Sequence, residues 1–422
     1  MMEAETKAPG GDTAPKPISW PRLLRRLLLL AALLVVGDLL LSVPLPTREY
    51  GHYYRPRWAT FPRYLAYLRH FRRLHPERPI IVFLGPSTTW GISASPGHAI
   101  PDDFERALHR RYRSGPLSRA KVFNASLVAI NLATQYYQLR ALLPYVDAVY
   151  LQVHYRPFAE RETLTMIPEL LPGIGQWPDQ QETRLMAGVW LSRPRTWEVS
   201  CSLWLAQHWA LYRDRFALRE AVYGEPRGTA EMGYEWYENW FELLGLEHRF
   251  LTQDRLLRQV KMNQVEYYWV VPWTELPPHV QRGIIRVCRV IYHCLPLNRY
   301  NRNLRFTERM LAVAQQASVP IFAFTAVFNR PIMGPTEDWL HNEYQPNMRV
   351  VKQAFEEAKV PLVDYNDLPR QPPRYFHDFD HLVDAGSAWQ AQALLDDSKE
   401  FLEQVVAPRF AGGQAGRHPG RG

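Results

Sequence analysis

Three side chains that lie far apart in the sequence could together perform nucleophilic catalysis. Ser87 follows the apolar run IIVFL within the segment IIVFLGPSTTWG, which begins at residue 80. A serine hydroxyl is a poor nucleophile until a base accepts its proton and an acid orients that base. Asp378 and His381 stand three residues apart in the segment HDFDH, so the carboxylate can reach one ring nitrogen while the other faces outward. These residue types could together activate a serine for nucleophilic catalysis.

The same residues allow other interpretations. Ser87 could be only a turn residue or a helix N-cap, because serine favours both positions. Asp380 and His377 could replace Asp378 and His381 in the acid and base roles. Two aspartates with two histidines could also bind a metal ion. However, the aspartates and the histidines of an extended HDFDH segment point to opposite faces, and no glutamate or third-histidine motif accompanies it. We therefore predict no metal site and no cofactor.

Five short apolar segments predict the strands that position these residues. They lie at 79–85, 121–126, 147–153, 319–325 and 360–365. Continuous rather than alternating apolarity is typical of strands that are covered on both faces. Helical patterns such as DDFERALHRRYR and NLATQYYQLRALL alternate with these strands, which predicts an α/β fold with a parallel sheet. Ligands bind beyond the carboxyl ends of such strands, and Ser87 comes two residues after the first one.

The regions outside this alternating pattern predict the domain organisation. The main domain spans 79–405, and within it residues 160–300 are rich in tryptophan and tyrosine with helical periodicity, which predicts an α-rich insertion. Residues 44–78 predict a linker and a juxtamembrane helix, FPRYLAYLRHFRRLH. The glycine- and arginine-rich tail at 406–422 lacks apolar periodicity and is predicted to be disordered.

The N-terminus predicts a membrane anchor. Residues 23–43 are predominantly apolar over nearly the ~20 residues that a spanning helix needs. Basic residues precede them, which under the positive-inside rule keeps the tail at 1–22 in the cytoplasm and places the main domain in the periplasm or another extracytoplasmic space. A cleaved signal peptide is the alternative, but LSVPLPTREY has no clear small-x-small cleavage site. We predict a single-pass protein of the inner (cytoplasmic) membrane.

Composition narrows the classes of partner. The formal net charge is +8, yet no basic block with interleaved aromatic residues occurs, so we predict no nucleic-acid partner. An anionic membrane surface or acidic envelope polymer fits this charge better. The three cysteines lack zinc-ligand spacing; Cys288 and Cys294 could form a disulfide or remain two buried thiols.

Two motifs together carry a resemblance to a known family. The strand-Gly-x-Ser motif near the start of the domain, paired with Asp-x-x-His-Leu-x-x-x-Gly near its end, resembles the SGNH (GDSL-type) hydrolases. The resemblance implies a three-layer flavodoxin-like parallel sheet of the SGNH type. It also implies Ser87 as nucleophile, His381 as general base and Asp378 as the orienting acid.

Two further blocks of that family concern the oxyanion hole. The segment VFNASLVAINLATQYY is similar to the second block, in which a glycine N–H after Asn-Ala-Ser helps to form the hole; here Ala129 or a neighbour occupies that position. The third block, Gly-x-Asn-Asp, is absent, and His154 follows the strand instead. The resemblance thus implies Ser126, Ala129 and His154 as oxyanion or substrate-binding residues.

An N-terminal membrane helix combined with the missing third block resembles the DltD-like branch of the superfamily. Proteins of that branch work beside membrane-bound O-acyltransferases and pass acyl groups onto envelope polymers. The resemblance implies an anchored serine O-acyltransferase, with an acyl donor, a polymer or glycan acceptor and a membrane-bound O-acyltransferase partner. Alternatives are a periplasmic esterase that uses water and a non-catalytic membrane scaffold with a decayed SGNH core.

Overall fold

A computed structural model shows the fold of the 422-residue chain. The structure describes residues 20–42, 55–56, 61–128, 130–158, 171, 174–176, 178–187, 201, 204–205, 208–213 and 271–411. Most of the predicted insertion, including residues 214–270, and the tail from 412 onwards lie outside the described residues.

A five-stranded parallel sheet forms the centre of the molecule. Its strands, in chain order β1 to β5, are Ile80–Leu84, Lys121–Asn124, Ala148–Val153, Ile321–Thr325 and Leu362–Val363. The spatial order is β2-β1-β3-β4-β5, and every neighbouring pair is parallel. This is the flavodoxin-like order. The α/β class and all five predicted strands are therefore confirmed.

Helices alternate with these strands, as the sequence predicts. In chain order, α1 to α12 are Trp20–Ser42, Phe61–Leu74, Ser87–Trp90, Ile100–Arg111, Leu132–Leu142, Gln180–Ala187, Ala210–Arg213, Pro278–Ile291, Arg302–Gln316, Gln345–Glu357, Asp384–Asp397 and Pro408–Ala411. Two π-helical turns, Leu340–Tyr344 and Phe401–Val406, precede α10 and α12. Helices α6, α7 and α8 lie in the region predicted as an α-rich insertion.

The sheet is covered on both faces because its side chains alternate in direction. On β1, Ile80, Val82 and Leu84 belong to an apolar cluster that includes residues of α2, α5, α9 and α10. Ile81 and Phe83 belong to a second cluster, which includes residues of α4 and α11. All five side chains are fully buried, and each contributes about 1.5–3 kcal/mol through its burial. This two-sided packing explains the continuous apolar runs of the strands.

A buried ion pair fixes the start of β1. Arg72 of α2 pairs with Asp147, and the same carboxylate accepts a hydrogen bond from the N–H of Ile80 at 2.7 Å. The Arg72 guanidinium also donates to the carbonyl of Tyr145 at 3.0 Å. Helix α2, which the sequence predicts, is thus joined to the sheet at the end opposite to Ser87.

The N-terminal apolar segment forms α1, which contacts α7. The carboxylate of Asp38 accepts a hydrogen bond from the N–H of Leu211 at 2.9 Å. Across the part of the chain that the structure describes, no helix combines the length and apolarity required to cross a membrane. The three cysteines are free thiols, and Cys288 and Cys294 are buried.

Candidate active site

Ser87 lies at the point where the strand order of the sheet reverses. β1 is flanked by β2 on one side and β3 on the other, so the connections that leave β1 and β3 diverge and open a crevice at their carboxyl ends. Ser87 begins α3 directly after β1 and is partly exposed, whereas Thr88, Thr89 and Trp90 are buried. The fold therefore turns the hydroxyl of Ser87 toward the crevice while its neighbours pack inward.

Two glycines allow this sharp turn. A Cβ at Gly85 would lie 2.3 Å from Oγ1 of Thr89 and 2.9 Å from Cβ of Gln152, so only glycine fits between α3 and β3. Gly91 ends α3 with φ of +83°, a left-handed conformation that favours glycine, and its N–H donates to the carbonyl of Ser87 at 2.9 Å. Without these glycines the helix could not hold Ser87 so close to the sheet.

Polar side chains hold α3 from both neighbouring strands. The hydroxyls of Thr88 and Thr89 donate to Oε1 of Gln152 on β3, the latter at 2.7 Å. Nδ2 of Asn124, at the end of β2, donates to the carbonyls of Thr89 and Trp90 at 3.3 Å each. These side chains join the serine turn to the strands on either side of it.

Arg55 holds the loop that follows α3. Its guanidinium donates to the carbonyls of Gly91, Ala94 and Ser95, at 3.0 Å for Ala94 and 2.6 Å for Ser95. Beside it, the carbonyl of Pro56 accepts a hydrogen bond from the indole N–H of Trp90 at 2.7 Å. A segment more than thirty residues before the serine thus determines the shape of the loop next to it.

The acid and base lie on a tight loop between β5 and α11. Phe376 and Leu382 form an antiparallel bridge at its base, and the N–H of His377 donates to the carbonyl of His381 at 2.8 Å. Oδ1 of Asp378 accepts hydrogen bonds from the N–H groups of Asp380 at 3.1 Å and His381 at 2.9 Å. The carboxylate of Asp378 therefore shapes its own loop with one oxygen and leaves the other for the imidazole.

Ser87, His381 and Asp378 form a continuous hydrogen-bonded chain. Oγ of Ser87 lies 2.8 Å from Nε2 of His381, and Nδ1 of His381 lies 2.8 Å from Oδ2 of Asp378. An ionised carboxylate only accepts hydrogen bonds, so Nδ1 carries the proton and Nε2 of the neutral ring accepts from the serine hydroxyl. The structure thus brings the three predicted residues together in the order nucleophile, base and acid.

The charges around His381 favour its protonated form. Burial lowers the pKa of this imidazole, but the carboxylates of Asp378 and Asp380 outweigh it and raise the pKa to about 9, against the opposing charge of Arg156. The side chain of His381 is 14% exposed. A base with this pKa is mostly protonated at neutral pH and accepts a serine proton more readily as the pH rises.

His154 contacts the acidic loop rather than the serine. Its Nε2 lies 2.6 Å from Oδ2 of Asp380, and its Nδ1 accepts a hydrogen bond from the N–H of Arg156 at 3.1 Å. Because Nδ1 is an acceptor, the ring proton of neutral His154 resides on Nε2 and points to Asp380. Both ring nitrogens are engaged within the protein, so the structure does not present His154 as a donor to a substrate oxygen, in contrast to the prediction.

The other two predicted oxyanion residues have different outcomes. Ser126 is fully buried; its N–H donates to Oδ1 of Asn124 at 3.1 Å and its hydroxyl contacts the carbonyl of Phe83 at 3.5 Å. Ser126 is therefore turned into the β1–β2 junction and not toward the hydroxyl of Ser87. Ala129 lies outside the described residues. Its predicted role, like that of the oxyanion hole as a whole, stays a prediction.

The candidates for an alternative acid, an alternative base and metal ligands all lie in the loop that carries Asp378 and His381. His377 is buried and its Nδ1 contacts the carbonyl of Val271 at 2.9 Å; burial lowers the pKa of this ring. Asp378, Asp380 and His381 have potential ligand atoms within 4.8 Å of one another. Both carboxylates contact the same ring atom of His381, Nδ1. A metal ion there would have to displace the proton on Nδ1 and break the hydrogen bond between His381 and Asp378.

Several residues of the site carry no signal in the sequence. Tyr292, just after α8, favours the charged form of the Asp380 carboxylate and lowers its pKa. Asn329, beyond β4, donates to the carbonyl of Asp378 at 3.3 Å. Neither residue belongs to a recognisable motif, and Arg55 lies in a linker without periodicity. Asn124 is the exception, because it stands inside the NAS block that ends β2.

Neither the comparison with protein-family models nor the search of curated proteins finds a match for this chain. The resemblance to SGNH hydrolases therefore rests on the motifs, and what it implies about activity stays a prediction.

Proposed function

We propose that this protein is an SGNH-type serine enzyme that transfers acyl groups through a covalent acyl-serine at Ser87. One observation carries the proposal: Ser87, His381 and Asp378 are joined by two hydrogen bonds of 2.8 Å each, although almost three hundred residues separate the serine from the other two. Side chains of these types in this order are the arrangement that nucleophilic serine catalysis requires.

The first half-reaction would form the acyl-enzyme. Oγ of Ser87 attacks the acyl carbonyl carbon while its proton passes to Nε2 of His381, and Asp378 stabilises the imidazolium that results. The tetrahedral intermediate collapses as the bond to the leaving group breaks, and the leaving group takes the proton from His381. In the second half-reaction an acceptor hydroxyl gives its proton to His381 and attacks the acyl carbon; the bond from that carbon to Oγ of Ser87 then breaks, and His381 returns the proton to the serine oxygen.

The backbone N–H of Ser87 is the candidate oxyanion donor of the described residues. Ser87 is the first residue of α3, so its N–H has no acceptor one turn earlier within the helix. A donor at the attacking residue itself lies beside the carbonyl oxygen as negative charge develops. We propose that the turn after β2, where the sequence predicts Ala129, supplies the second donor.

The acceptor and cellular setting belong to the same proposal and are supported by the sequence. The resemblance to the DltD-like branch favours O-acylation of an extracytoplasmic envelope polymer or glycan, with a membrane-bound O-acyltransferase as partner. Membrane attachment through residues 23–43 would keep Ser87 near that partner and raise its effective concentration. If water resolves the acyl-enzyme instead, the protein is an esterase; if Ser87 does not react, it is a scaffold.

Labelling with a fluorophosphonate tests the nucleophile. We expect intact mass spectrometry and peptide mapping to find one adduct, at Ser87, and we expect Ser87→Ala to abolish it. The matched control is Ser118→Ala, because Ser118 lies before β2 at the opposite end of the sheet and contacts only a local carbonyl. Labelling of Ser118→Ala should equal that of the wild type.

Two results would decide against or refine the proposal. Absence of an adduct on folded wild-type protein would contradict serine catalysis and favour the scaffold. For a reactive protein, mass analysis of Ser87 after purification from membranes would identify a trapped acyl group. Release of that group by water alone favours an esterase, whereas release that needs a hydroxylated polymer favours a transferase.

A further inference from the structure

A second carboxylate approaches the imidazole of His381. Oδ1 of Asp380 lies 3.3 Å from Nδ1 of His381, the same atom that Oδ2 of Asp378 contacts at 2.8 Å. The proton on Nδ1 therefore lies between two carboxylates. Nucleophilic serine catalysis needs only one acid at this position, so the second one needs an explanation.

Asp380 is held in place by groups from two other parts of the chain. Its side chain is 5% exposed, and its Oδ2 accepts a hydrogen bond from Nε2 of His154, beyond β3. The hydroxyl of Tyr292, after α8, also favours the charged form of this carboxylate. Burial opposes the charged form, but His381, His154 and Tyr292 together hold the pKa of Asp380 well below its usual range. The carboxylate is thus an ionised group in a fixed orientation.

We propose that Asp380, held by His154 and Tyr292, is a second positioning residue for His381 that can maintain the proton on Nδ1 when Asp378 is lost. This inference rests on the proposed function, because it assumes that His381 is the base for Ser87. His154 and Tyr292 act on the imidazole indirectly: they favour the position and charge of Asp380, and Asp380 together with Asp378 orients the ring of His381. The role of His154 is then positional, which agrees with its contacts.

The alternative is that Asp380 only ties three loops together. A structural carboxylate would affect stability but would not compensate for the loss of Asp378. The two roles differ most clearly in the double variant, since shared function makes the effects of two substitutions non-additive. They differ also in the pH profile, because a carboxylate that faces Nδ1 changes the protonation of His381.

The experiment measures the rate constant of fluorophosphonate labelling at Ser87 in Asp378→Asn, Asp380→Asn and the double variant. In a triad with one acid, the acid-to-amide substitution costs about 10⁴-fold through the wrong ring tautomer. With two acids that can replace each other, we expect each single variant to lose no more than about tenfold, whereas the double variant should lose about 10⁴-fold, far more than the product of the single losses. Asp396→Asn, a half-exposed carboxylate paired with Arg111, is the control for charge removal.

The pH dependence of the same rate separates positioning from structure. The charged groups that act on His381 are Asp378 and Asp380 on its own loop and Arg156 beyond β3; His377 acts on it as well. Removing the charge of Asp380 should move the rising limb of the profile to lower pH. Asp380→Ser provides a second variant if Asp380→Asn folds poorly, because it also removes the carboxylate that faces Nδ1, and we expect a shift in the same direction.

The outcomes distinguish this inference from the proposed function. Loss of about 10⁴-fold in Asp378→Asn alone, with an unshifted profile in Asp380→Asn and Asp380→Ser, would overturn the second-carboxylate role and leave serine catalysis intact. Failure of the wild type to label at Ser87 would overturn the proposed function and this inference with it. Small single losses together with a large double loss would support both.

Discussion

The reactivity of Ser87 should increase with pH well beyond neutrality. A pKa of about 9 leaves about 1% of His381 neutral at pH 7 and about half neutral at pH 9. Because only the neutral ring accepts the serine proton, we expect the labelling rate to rise about 50-fold between these two values. The rate should increase roughly tenfold per unit below pH 8 and level off near pH 10.

The assay is the second-order rate constant of fluorophosphonate labelling, measured from pH 6 to pH 10 on protein whose fold is checked by circular dichroism at each pH. Intact mass spectrometry restricts the rate to the Ser87 adduct. His381→Gln should remove both the limb and most of the rate. A wild-type profile that levels off by pH 7.5 would place the pKa of the imidazole near its ordinary value. That result would refute the argument that Asp378 and Asp380 keep the ring protonated.

The same pKa shift makes the free energy of unfolding depend on pH. The folded-state pKa of His381 lies above the unfolded value of 6.5, so the folded protein binds this proton more tightly. Its contribution is fully present below pH 6.5 and is lost as the pH rises through about 9. The rise in the pKa of His381 from 6.5 to about 9 corresponds to about 3 kcal/mol in the free energy of unfolding. Urea denaturation at pH 6 and pH 10 should show this loss in the wild type and not in His381→Gln.

Three further substitutions and one control substitution test how the serine turn and the sheet that carries it are held. Gly85→Ala should destabilise the fold by about 1–3 kcal/mol and slow labelling, because the new Cβ would lie 2.3 Å from a threonine oxygen; urea denaturation and the labelling rate report this. Asp147→Ala leaves Arg72 buried without its partner and should cost about 3–5 kcal/mol in urea denaturation, whereas Asp367→Ala, which breaks a half-exposed pair, should cost less than about 1 kcal/mol. Arg55→Lys cannot reach three carbonyls at once and should cost about 1–3 kcal/mol and reduce the labelling rate; full retention of both would contradict its role.

The strands were predictable from the sequence because their environment is uniform. A strand buried on both faces needs apolar residues at every position, and runs such as IIVFL have few other interpretations. The edges were less predictable. The segment at 360–365 forms only Leu362–Val363, since both residues are half-exposed at the sheet edge and Pro361 before them has no N–H to donate. Strand β2 ends at Asn124, and the side-chain Oδ1 of that residue accepts a hydrogen bond from the N–H of Ser126.

The meeting of Ser87, His381 and Asp378 was predictable because each of these residues belongs to a local motif. The rest of the site was not, since it depends on contacts between distant residues. The sequence indicates that His154 ends a strand, but it does not reveal that the ring meets Asp380, 226 residues later. Once this contact exists, the ring cannot serve as the donor that the resemblance to SGNH hydrolases implies. Ser126 is a second example, because its N–H already donates to the side chain of Asn124, two residues earlier.

In the segment DFDH two aspartates flank a phenylalanine, and this pattern explains why two carboxylates meet at one imidazole. Phe379 is fully buried, stacks on Phe328 with 4.7 Å between ring centroids, and contacts Tyr292 edge-on at 4.4 Å. Asp378 and Asp380 flank this anchored ring, and the turn around it brings both carboxylates to Nδ1 of His381. Polar groups alone would leave such a loop free to open to water, where the hydrogen bonds gain little. The burial of Phe379 adds about 1.5–3 kcal/mol that depends on the closed loop, so the apolar core, as much as the hydrogen bonds, fixes the distance between base and serine.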